Sequence, residues 1–429
     1  MVKNLFLLPG LFLAIVACSQ DAVPGKAPGK WKPGYLDIHH INTGRGNAAF
    51  CVFPDGTSML IDAGELSPLD ARTFTARNAA ARPDTSRKPY EWLVAYIRQV
   101  QSRPGIDYAL ITHFHDDHFG AWYPSAPRSA DGTFQLTGIT GVGELLPVRT
   151  LVDRAFPQYD YPYDLVRDAA KNGRGEVEFG RTMANYFAFV KNKKPGQEAF
   201  RTGSNMQFRL LYDAATYPGF SIRNIKSGPW IWTGTDSSVV SHFKPITPDL
   251  RTWPDENSLS LALTISYGAF TYYTGGDNPG ELFEGDDPLR DVETAMAKVT
   301  GAVDVAVMDH HGNRDAINAF QVKTLHPQVW IGQAWSSDHP GQEVLRRLRN
   351  RSIYPVPGDL FATNMLEANR LVIGSMIDDS YKSQQGHILL RVMPGGGSFY
   401  VIVLDDTQPL LKVKSVTGPY SSKSRLTNK

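Results

Sequence analysis

The feature that most constrains this chain is a cluster of potential metal ligands directly behind an apolar run. The stretch ALITHFHDDHFGAW places three histidines and two aspartates within six positions. The run IDYALIT before it predicts a buried strand. Extended backbone puts His113 and His115 on one side, and Asp117 and His118 follow in the turn. The alternative is a polar loop with one or two hydrogen-bonded histidines, but four ligand types this close together favour a metal site.

The N-terminus predicts export and a lipid anchor. Lys3 precedes the apolar stretch LFLLPGLFLAIVA, which is too short for a stable membrane span and is typical of a secretory signal. The sequence IVAC, ending at Cys18, resembles the lipobox of bacterial lipoproteins, in which the cysteine carries the lipid. The alternative is an ordinary anchor helix. We expect a signal peptide over 1–17, lipid on Cys18, a flexible tether over 18–34, and, from Ser19, an outer-membrane location facing the periplasm.

Strand and helix patterns alternate along the remaining chain and predict a mixed α/β sandwich. Hairpins are expected around PDG, within SLSLALTISYGAFTYYTGGD and within GHILLRVMPGGGSFYVIVLDD. PYEWLVAYIRQVQ, GRTMANYFAFVKN and PGQEVLRRLRN predict helices, and NMQFRLLYD predicts a strand. We expect a globular domain over 35–407 with an insertion at about 124–255, followed by a polar, loosely packed tail over 408–429.

The charge of the chain gives no sign of a polyanionic partner. Lys+Arg number 44 and Asp+Glu 43, a formal net charge of +1. A net charge this small does not favour nucleic acid as a substrate, although it does not exclude it. The densest positive run, LRRLRNR, fits a solvated helix face. Membrane contact is expected through the N-terminal lipid alone.

Motif blocks along the chain resemble one hydrolase family. HFHDDH matches the HxHxDH signature of metallo-β-lactamase-fold hydrolases. YLDIHHINTGRGNAAFCVFPDGTSMLIDAGE, ENSLSLALTISYGAFTYYTGGD, VAVMDHHGN and SSDHPGQEVLRRL are similar, in the same order, to blocks of the hydrolase domain of ComEC-type DNA-uptake proteins. The resemblance covers about 35–405. It implies a metallo-β-lactamase-type αβ/βα four-layer sandwich with a long central insertion.

The resemblance also implies a centre for two divalent metal ions. His113 and His115 would bind one ion, Asp117 and His118 the other, and Asp277 would bridge them. Mixed histidine and aspartate ligands favour Zn²⁺, with Mn²⁺ or Fe as alternatives. Asp117 would also act in catalysis by orienting the attacking hydroxide.

Five further positions are carried over from the same blocks. The HHG block supplies another histidine ligand, and we expect His311, directly before the glycine, rather than His310. His339 is a candidate metal ligand or phosphate contact. Asn257 is placed to approach the site, since a further histidine ligand common in this fold is missing. Asp62 is expected to support the metal from behind by orienting a ligand histidine.

These residues predict a hydrolase that uses a metal-bound hydroxide. The HHG and TGGD blocks favour a phosphodiester substrate, either a small phosphodiester, nucleic acid or an envelope phosphoester. Hydrolysis of a lactone, ester or β-lactam is an alternative that the same fold supports. A non-catalytic surface binding lipoprotein is an alternative of another class, against which the intact ligand set argues.

Overall fold

Two mixed β-sheets form the centre of the computed structural model, which describes residues 22–165, 167, 178–281 and 287–423. The predicted signal peptide and Cys18 lie outside these residues. In spatial order the first sheet contains β18 (Val413–Ser421), β17 (Ser398–Leu404), β16 (His387–Val392), β1 (Leu36–His40), β2 (Ala49–Val52), β3 (Ser58–Ile61), β4 (Ile106–Leu110), β5 (Val148–Asp153) and β6 (Gly196–Ala199). The second sheet contains β15 (Tyr381–Ser383), β14 (Asp359–Ala362), β13 (Val329–Gly332), β12 (Val305–Val307), β11 (Phe270–Thr274), β10 (Ala262–Tyr267), β7 (Phe220–Ser227), β8 (Trp230–Trp232) and β9 (Val239–Ser241).

Helices connect many of these strands. They are α1 (Pro89–Val100), α2 (Asp116–Phe119), α3 (Gly138–Leu145), α4 (Phe179–Lys193), α5 (Glu293–Thr300), α6 (Ala319–Leu325), α7 (Gln342–Arg349), α8 (Glu367–Ile373) and α9 (Ser375–Asp378). The expected helices around α1, α4 and α7 are confirmed, as are the three hairpins β2–β3, β10–β11 and β16–β17.

Three apolar cores give the molecule its layers. One lies between the two sheets, a second packs the first sheet against α1, α3 and α4, and a third packs the second sheet against helices that include α5 to α7. Strand β2 illustrates the pattern, because Cys51 faces the other sheet while Phe50 and Val52 face the helices. The predicted mixed α/β sandwich is confirmed.

The central section is part of both sheets. β5 and β6 extend the first sheet in parallel from β4, and β7 pairs antiparallel with β10 in the second. The section over about 124–255, expected as an insertion, thus contributes strands to both sheets. The predicted strand over NMQFRLLYD is wrong, because side chains take its backbone N–H groups: Leu211 donates to Thr57 Oγ1 and Tyr212 to Asp55 Oδ2.

Both ends of the described chain are more ordered than expected. Residues 413–421, part of the predicted tail, form the edge strand β18. The tether residues from 22 onward lie along that edge, where Gly25 N–H donates to the Val413 carbonyl at 2.8 Å. The flexible tether and loose tail are therefore corrected over these residues, because each segment satisfies the other's backbone groups. Within the described ranges, no helix has the length and apolar character needed to cross a membrane.

The strand order places the candidate ligands together. β3 and β4 are parallel, and so are β11, β12 and β13, so the carboxyl ends of each set lie at one edge. The loops after these five strands carry, in the same order, Asp62, His113, Asp277, His311 and His339.

Candidate metal centre

Four buried side chains converge at the carboxyl ends of strands from both sheets. One ligand atom from each of Asp117, His118, Asp277 and His311 lies within 4.8 Å of all the others. His311 Nε2 is 2.9 Å from Asp117 Oδ2 and 3.2 Å from Asp277 Oδ2, and His118 Nε2 is 3.1 Å from Asp277 Oδ1. This cluster, which we call the quartet, could hold a metal ion.

The far side of each quartet histidine is fixed by an oxygen acceptor. Nδ1 of His118 donates to Asp62 Oδ2 at 2.8 Å, and Nδ1 of His311 donates to the Gln333 carbonyl at 3.1 Å. In a neutral ring this leaves the Nε2 lone pair facing the carboxylates of the quartet. Ligand histidines in metal proteins are oriented in the same way.

Asp62 is itself held on the far side from the quartet. Its carboxylate accepts hydrogen bonds from the backbone N–H and the hydroxyl of Thr112, each at 2.8 Å. Its backbone adopts a positive φ of 61°. The orienting contact to His118 expected of this residue is thus present in the structure.

The HHG turn adopts an uncommon backbone conformation. His310 and His311 have φ values of 45° and 57°, within a 3₁₀ turn over Asp309–Gly312. Left-handed backbone is unusual outside glycine and concentrates at functional sites, where the surroundings hold it in place. Because of this turn, the side chain of His311 enters the quartet, whereas that of His310 lies beside it.

His310 lies beside the quartet rather than in it. Its Nδ1 is 2.7 Å from Asp315 Oδ1, and its Nε2 is 3.3 Å from the Asn257 amide nitrogen and 3.9 Å from Asp277 Oδ2. Asn257 therefore contacts His310 and not a member of the quartet. Of the two histidines left open by the sequence, His311 is the one in the quartet.

His113 lies near Asp277, and His115 packs beside His113. His113 Nε2 is fully buried, 3.9 Å from Asp277 Oδ2, and has no hydrogen-bond partner among the described residues. Burial is the main cause that lowers the pKa of His113 well below its usual value, followed by the charge of His118. His115 packs its ring 4.8 Å from that of His113 and lines the cavity over the quartet, without joining it.

His339 is placed for a contact other than ligation. The backbone N–H groups of Trp335 and Ser336 point at its Nδ1 at 3.4 and 3.3 Å. Nδ1 is therefore the acceptor, and the proton of the neutral ring lies on Nε2. The ring stacks on that of His311 at 4.5 Å and lines the cavity. An Nε2–H group suits an anion better than a metal.

The loop carrying Asp117 is fixed by close backbone packing. The backbone carbonyl of Asp117 accepts a 2.7 Å hydrogen bond from the Asn47 N–H. A Cβ on Gly64 would lie 1.8 Å from the same carbonyl oxygen, so only glycine fits there. On the other side, Trp335 Nε1 donates to Asp117 Oδ2 at 3.1 Å.

Opposite charges balance within the quartet. Burial would lower the pKa of both histidines, but the carboxylates of Asp277 and Asp117 raise that of His311 to about 9 and that of His118 well above its usual value. Burial likewise opposes ionisation of the two aspartates, yet His118 and then His311 hold their pKa values well below the usual range. The two carboxylates therefore stay ionised and favour positive charge beside them, a condition that a divalent cation also meets.

Two supporting residues were missed by sequence reasoning. Glu256 is buried, accepts a 2.9 Å hydrogen bond from the Phe114 N–H inside HFHDDH, and pairs with Arg154. Trp335 binds Asp117 as described above. Glu256 stands in a block quoted for the resemblance, directly before Asn257, and Trp335 directly precedes another, but neither side-chain type signals a contact with a metal loop.

Above the quartet lies a cavity of about 300 Å³. Its lining includes His115, Asp117, Asn257, Asp277, His310, His311, Asn313 and His339. The rim carries Arg72, paired with Asp70, and Arg77, whose guanidinium is 3.2 Å from Asp338. The cavity is open to solvent and lined by members of the quartet, so a small molecule could reach them.

No model of a known protein family matches this chain, and no curated protein matches its sequence. The resemblance to metallo-β-lactamase-fold hydrolases therefore stays a prediction carried by the motifs.

Proposed function

We propose that this protein is a metal-dependent hydrolase of the metallo-β-lactamase fold that cleaves phosphodiesters. We further propose two divalent ions, Zn²⁺ first with Mn²⁺ or Fe as alternatives, and export to the outer membrane with a lipid on Cys18. Two sheets packed face to face, with ligand-bearing loops after β3, β4, β11 and β12, are consistent with that fold.

One observation carries the proposal: two histidines offer Nε2 atoms to two buried carboxylates, and oxygen acceptors fix both rings from behind. A purely structural cluster has no need for His113 Nε2, which is fully buried near Asp277 without a hydrogen-bond partner among the described residues. Buried polar atoms are normally satisfied, so an orphan beside the quartet fits a missing cation.

The donor set suits borderline divalent metals, which take imidazole nitrogen and carboxylate oxygen together. Asp117, His118, Asp277 and His311 would hold one ion, and His113 and His115 would hold the second. When bound, such ions supply Lewis-acid chemistry that lowers the pKa of water and polarises a phosphoryl oxygen.

The other side chains act on the substrate and on the proton. Asp117 stays ionised and orients the attacking water. His339 can donate Nε2–H to a phosphoryl oxygen, and Arg72 and Arg77 place positive groups at the cavity rim. Donors facing the reacting group stabilise charge as it develops in the transition state. Because Arg72 and Arg77 are each paired with an aspartate, the Nε2–H of His339 is the main donor that favours a phosphodiester over a lactone.

The test is a hydrolysis panel with metal analysis. Purified protein is assayed with bis-p-nitrophenyl phosphate, single-stranded DNA, a lactone and nitrocefin, alongside His115→Ala and, as a matched control, His326→Ala, which lies outside the cavity lining. We expect phosphodiester turnover and bound metal, both reduced in His115→Ala and retained in His326→Ala.

Turnover of the lactone or nitrocefin alone would reject the substrate class and keep the hydrolase. An inactive protein without bound metal would reject the function and leave the non-catalytic binding lipoprotein. Unchanged metal content and activity in His115→Ala would remove that histidine from the site.

A further inference from the structure

A second cavity lies beside the one over the quartet. It has a volume of about 220 Å³ and shares Leu66 and Thr73 with its neighbour as lining residues. Its wall carries three basic side chains, Arg45, Arg87 and Lys88. They come from two separate segments of the chain, which is why no basic run appears next to the motifs.

Arg45 is the strongest element of this cavity. The residue is only 8% exposed. Its Nη1 donates to the Thr73 carbonyl at 2.5 Å, and its guanidinium lies over the Phe74 ring at 5.3 Å. Among the described residues, no carboxylate lies within ion-pair distance of it. A buried cation is normally paired with an anion, so this guanidinium has room for one from outside the chain.

Glu65 is the carboxyl group in the lining of this cavity, and its charge raises the pKa of Arg45, which burial lowers. Its Oε2 accepts a 3.1 Å hydrogen bond from the Gly138 N–H, and its Oε1 is 3.5 Å from the Tyr123 hydroxyl. Burial raises the pKa of Glu65 to about 7, which favours the neutral carboxyl group over the charged one. Three cations therefore outweigh it.

The start of α1 adds to the positive field. Lys88 and Pro89, at the N-terminal end of this 12-residue helix, both line the cavity. A helix N-terminus favours an anion, and part of this effect is taken up by Glu91 in the first turn, which accepts a 2.8 Å hydrogen bond from the Lys88 N–H. Lys88 Nζ lies 5.5 Å from the centre of the Tyr123 ring, and the guanidinium of Arg87 lies 4.7 Å from that of Trp92, so both cations are held in place by aromatic side chains.

We propose that this second cavity binds a further phosphate group of the substrate, beyond the ester that is cut. The inference rests on the proposed phosphodiesterase function and specifies its substrate class: a phosphodiester that carries a second phosphate, rather than an isolated diester. The adjacent cavities then receive the two groups together, the scissile one over the quartet and the other against Arg45, Arg87 and Lys88.

A matched substrate pair tests this. Thymidine 5′-(p-nitrophenyl phosphate) has one phosphate, and its 3′-phosphorylated analogue has two, with the same leaving group. We expect kcat/KM to be about tenfold higher for the analogue. In Arg87→Glu and Lys88→Gln this ratio falls towards one, and in Arg346→Glu, an exposed control on α7, it stays at the wild-type value. Arg45→Lys, which keeps the charge but loses the planar fork, lowers it partly.

A ratio that is near one in the wild-type protein, or unchanged in Arg87→Glu and Lys88→Gln, would overturn the subsite while leaving the phosphodiesterase intact. If neither substrate is cut, the proposed function fails, and calorimetric binding of thymidine 3′,5′-bisphosphate to the metal-free protein decides on the subsite. At least fivefold weaker binding in Arg87→Glu than in Arg346→Glu supports it, and equal binding rejects it.

Discussion

Replacing Asp62 by asparagine should weaken metal binding without unfolding the protein. The carboxylate of Asp62 accepts three hydrogen bonds, from the Thr112 N–H, the Thr112 hydroxyl and His118 Nδ1, each at 2.8 Å. Asparagine has nearly the same shape and tolerates the positive φ of 61° at this position better than most residues. Any effect therefore reports the hydrogen bonds rather than backbone strain.

The amide can satisfy only part of this pattern. If its oxygen faces the Thr112 N–H, its NH₂ group meets His118 Nδ1 and drives the ring proton onto Nε2, the atom needed for a metal. If the oxygen faces His118, the NH₂ group opposes the Thr112 N–H. Changes to residues that support a ligand in this way cost about 10- to 100-fold in metal affinity. We expect a loss in that range, about 1.4 to 2.8 kcal/mol.

Competition with a chromophoric chelator measures the affinity of each variant for Zn²⁺, and thermal unfolding of the metal-free protein checks folding. Asp249→Asn, at an exposed carboxylate paired with Arg251, is the matched control. If Asp62→Asn binds Zn²⁺ within twofold of the wild-type protein, Asp62 does not orient His118 for a metal.

Three further perturbations have expected outcomes. Glu256→Gln leaves the buried guanidinium of Arg154 without its charge partner and should lower the free energy of unfolding by about 3 to 5 kcal/mol in urea titration. Gly64→Ala places a Cβ against the Asp117 carbonyl and should lower both stability, by about 1 to 3 kcal/mol, and Zn²⁺ affinity. Burial lowers the pKa of His387 to about 4, so the unfolded chain binds the extra proton between about pH 6.5 and 4, and stability should fall by about 3 kcal/mol as the pH drops through this window.

Each of these outcomes has a control. Asp249→Asn, at the exposed ion pair, should cost less than about 1 kcal/mol, and a similar loss in Glu256→Gln would contradict the assigned pairing. Gly397→Ala meets nothing within 4 Å and should be nearly neutral. His387→Gln should make the acid limb of the stability curve shallower by about 3 kcal/mol, while the buried His40, whose pKa is also lowered to about 4, keeps part of the limb; a limb of unchanged depth would contradict the role of His387.

Turn residues and apolar spacing in the sequence correctly predicted the hairpins and helices that depend on residues close together in the chain. The hairpins around PDG and PGGG and the helix opened by Pro89 form as expected, because turn residues and apolar spacing act over a few positions. The run NMQFRLLYD has the apolar content of a strand, yet its N–H groups bond side chains of the β2–β3 turn. That competition is a tertiary contact, which a local pattern does not contain.

The site was predictable as a set of residues but not as a geometry. The spacing of HFHDDH and the positions of Asp277 and His311 after strand-like runs predict the four residues that the structure brings together. The choice between His310 and His311 depends on two left-handed residues, a conformation imposed by the surrounding loops. Arg45 meets Arg87 and Lys88 only through folding, so a net charge of +1 concealed the basic cavity.

Anomalous diffraction from crystals soaked in Zn²⁺ tests the central claim most directly. We predict a strong peak between Asp117, His118, Asp277 and His311, at about 2.0 to 2.2 Å from their nitrogen and oxygen ligand atoms. A crystal with no peak at this position, or with zinc bound only elsewhere, would contradict the assignment of this cluster as a metal centre.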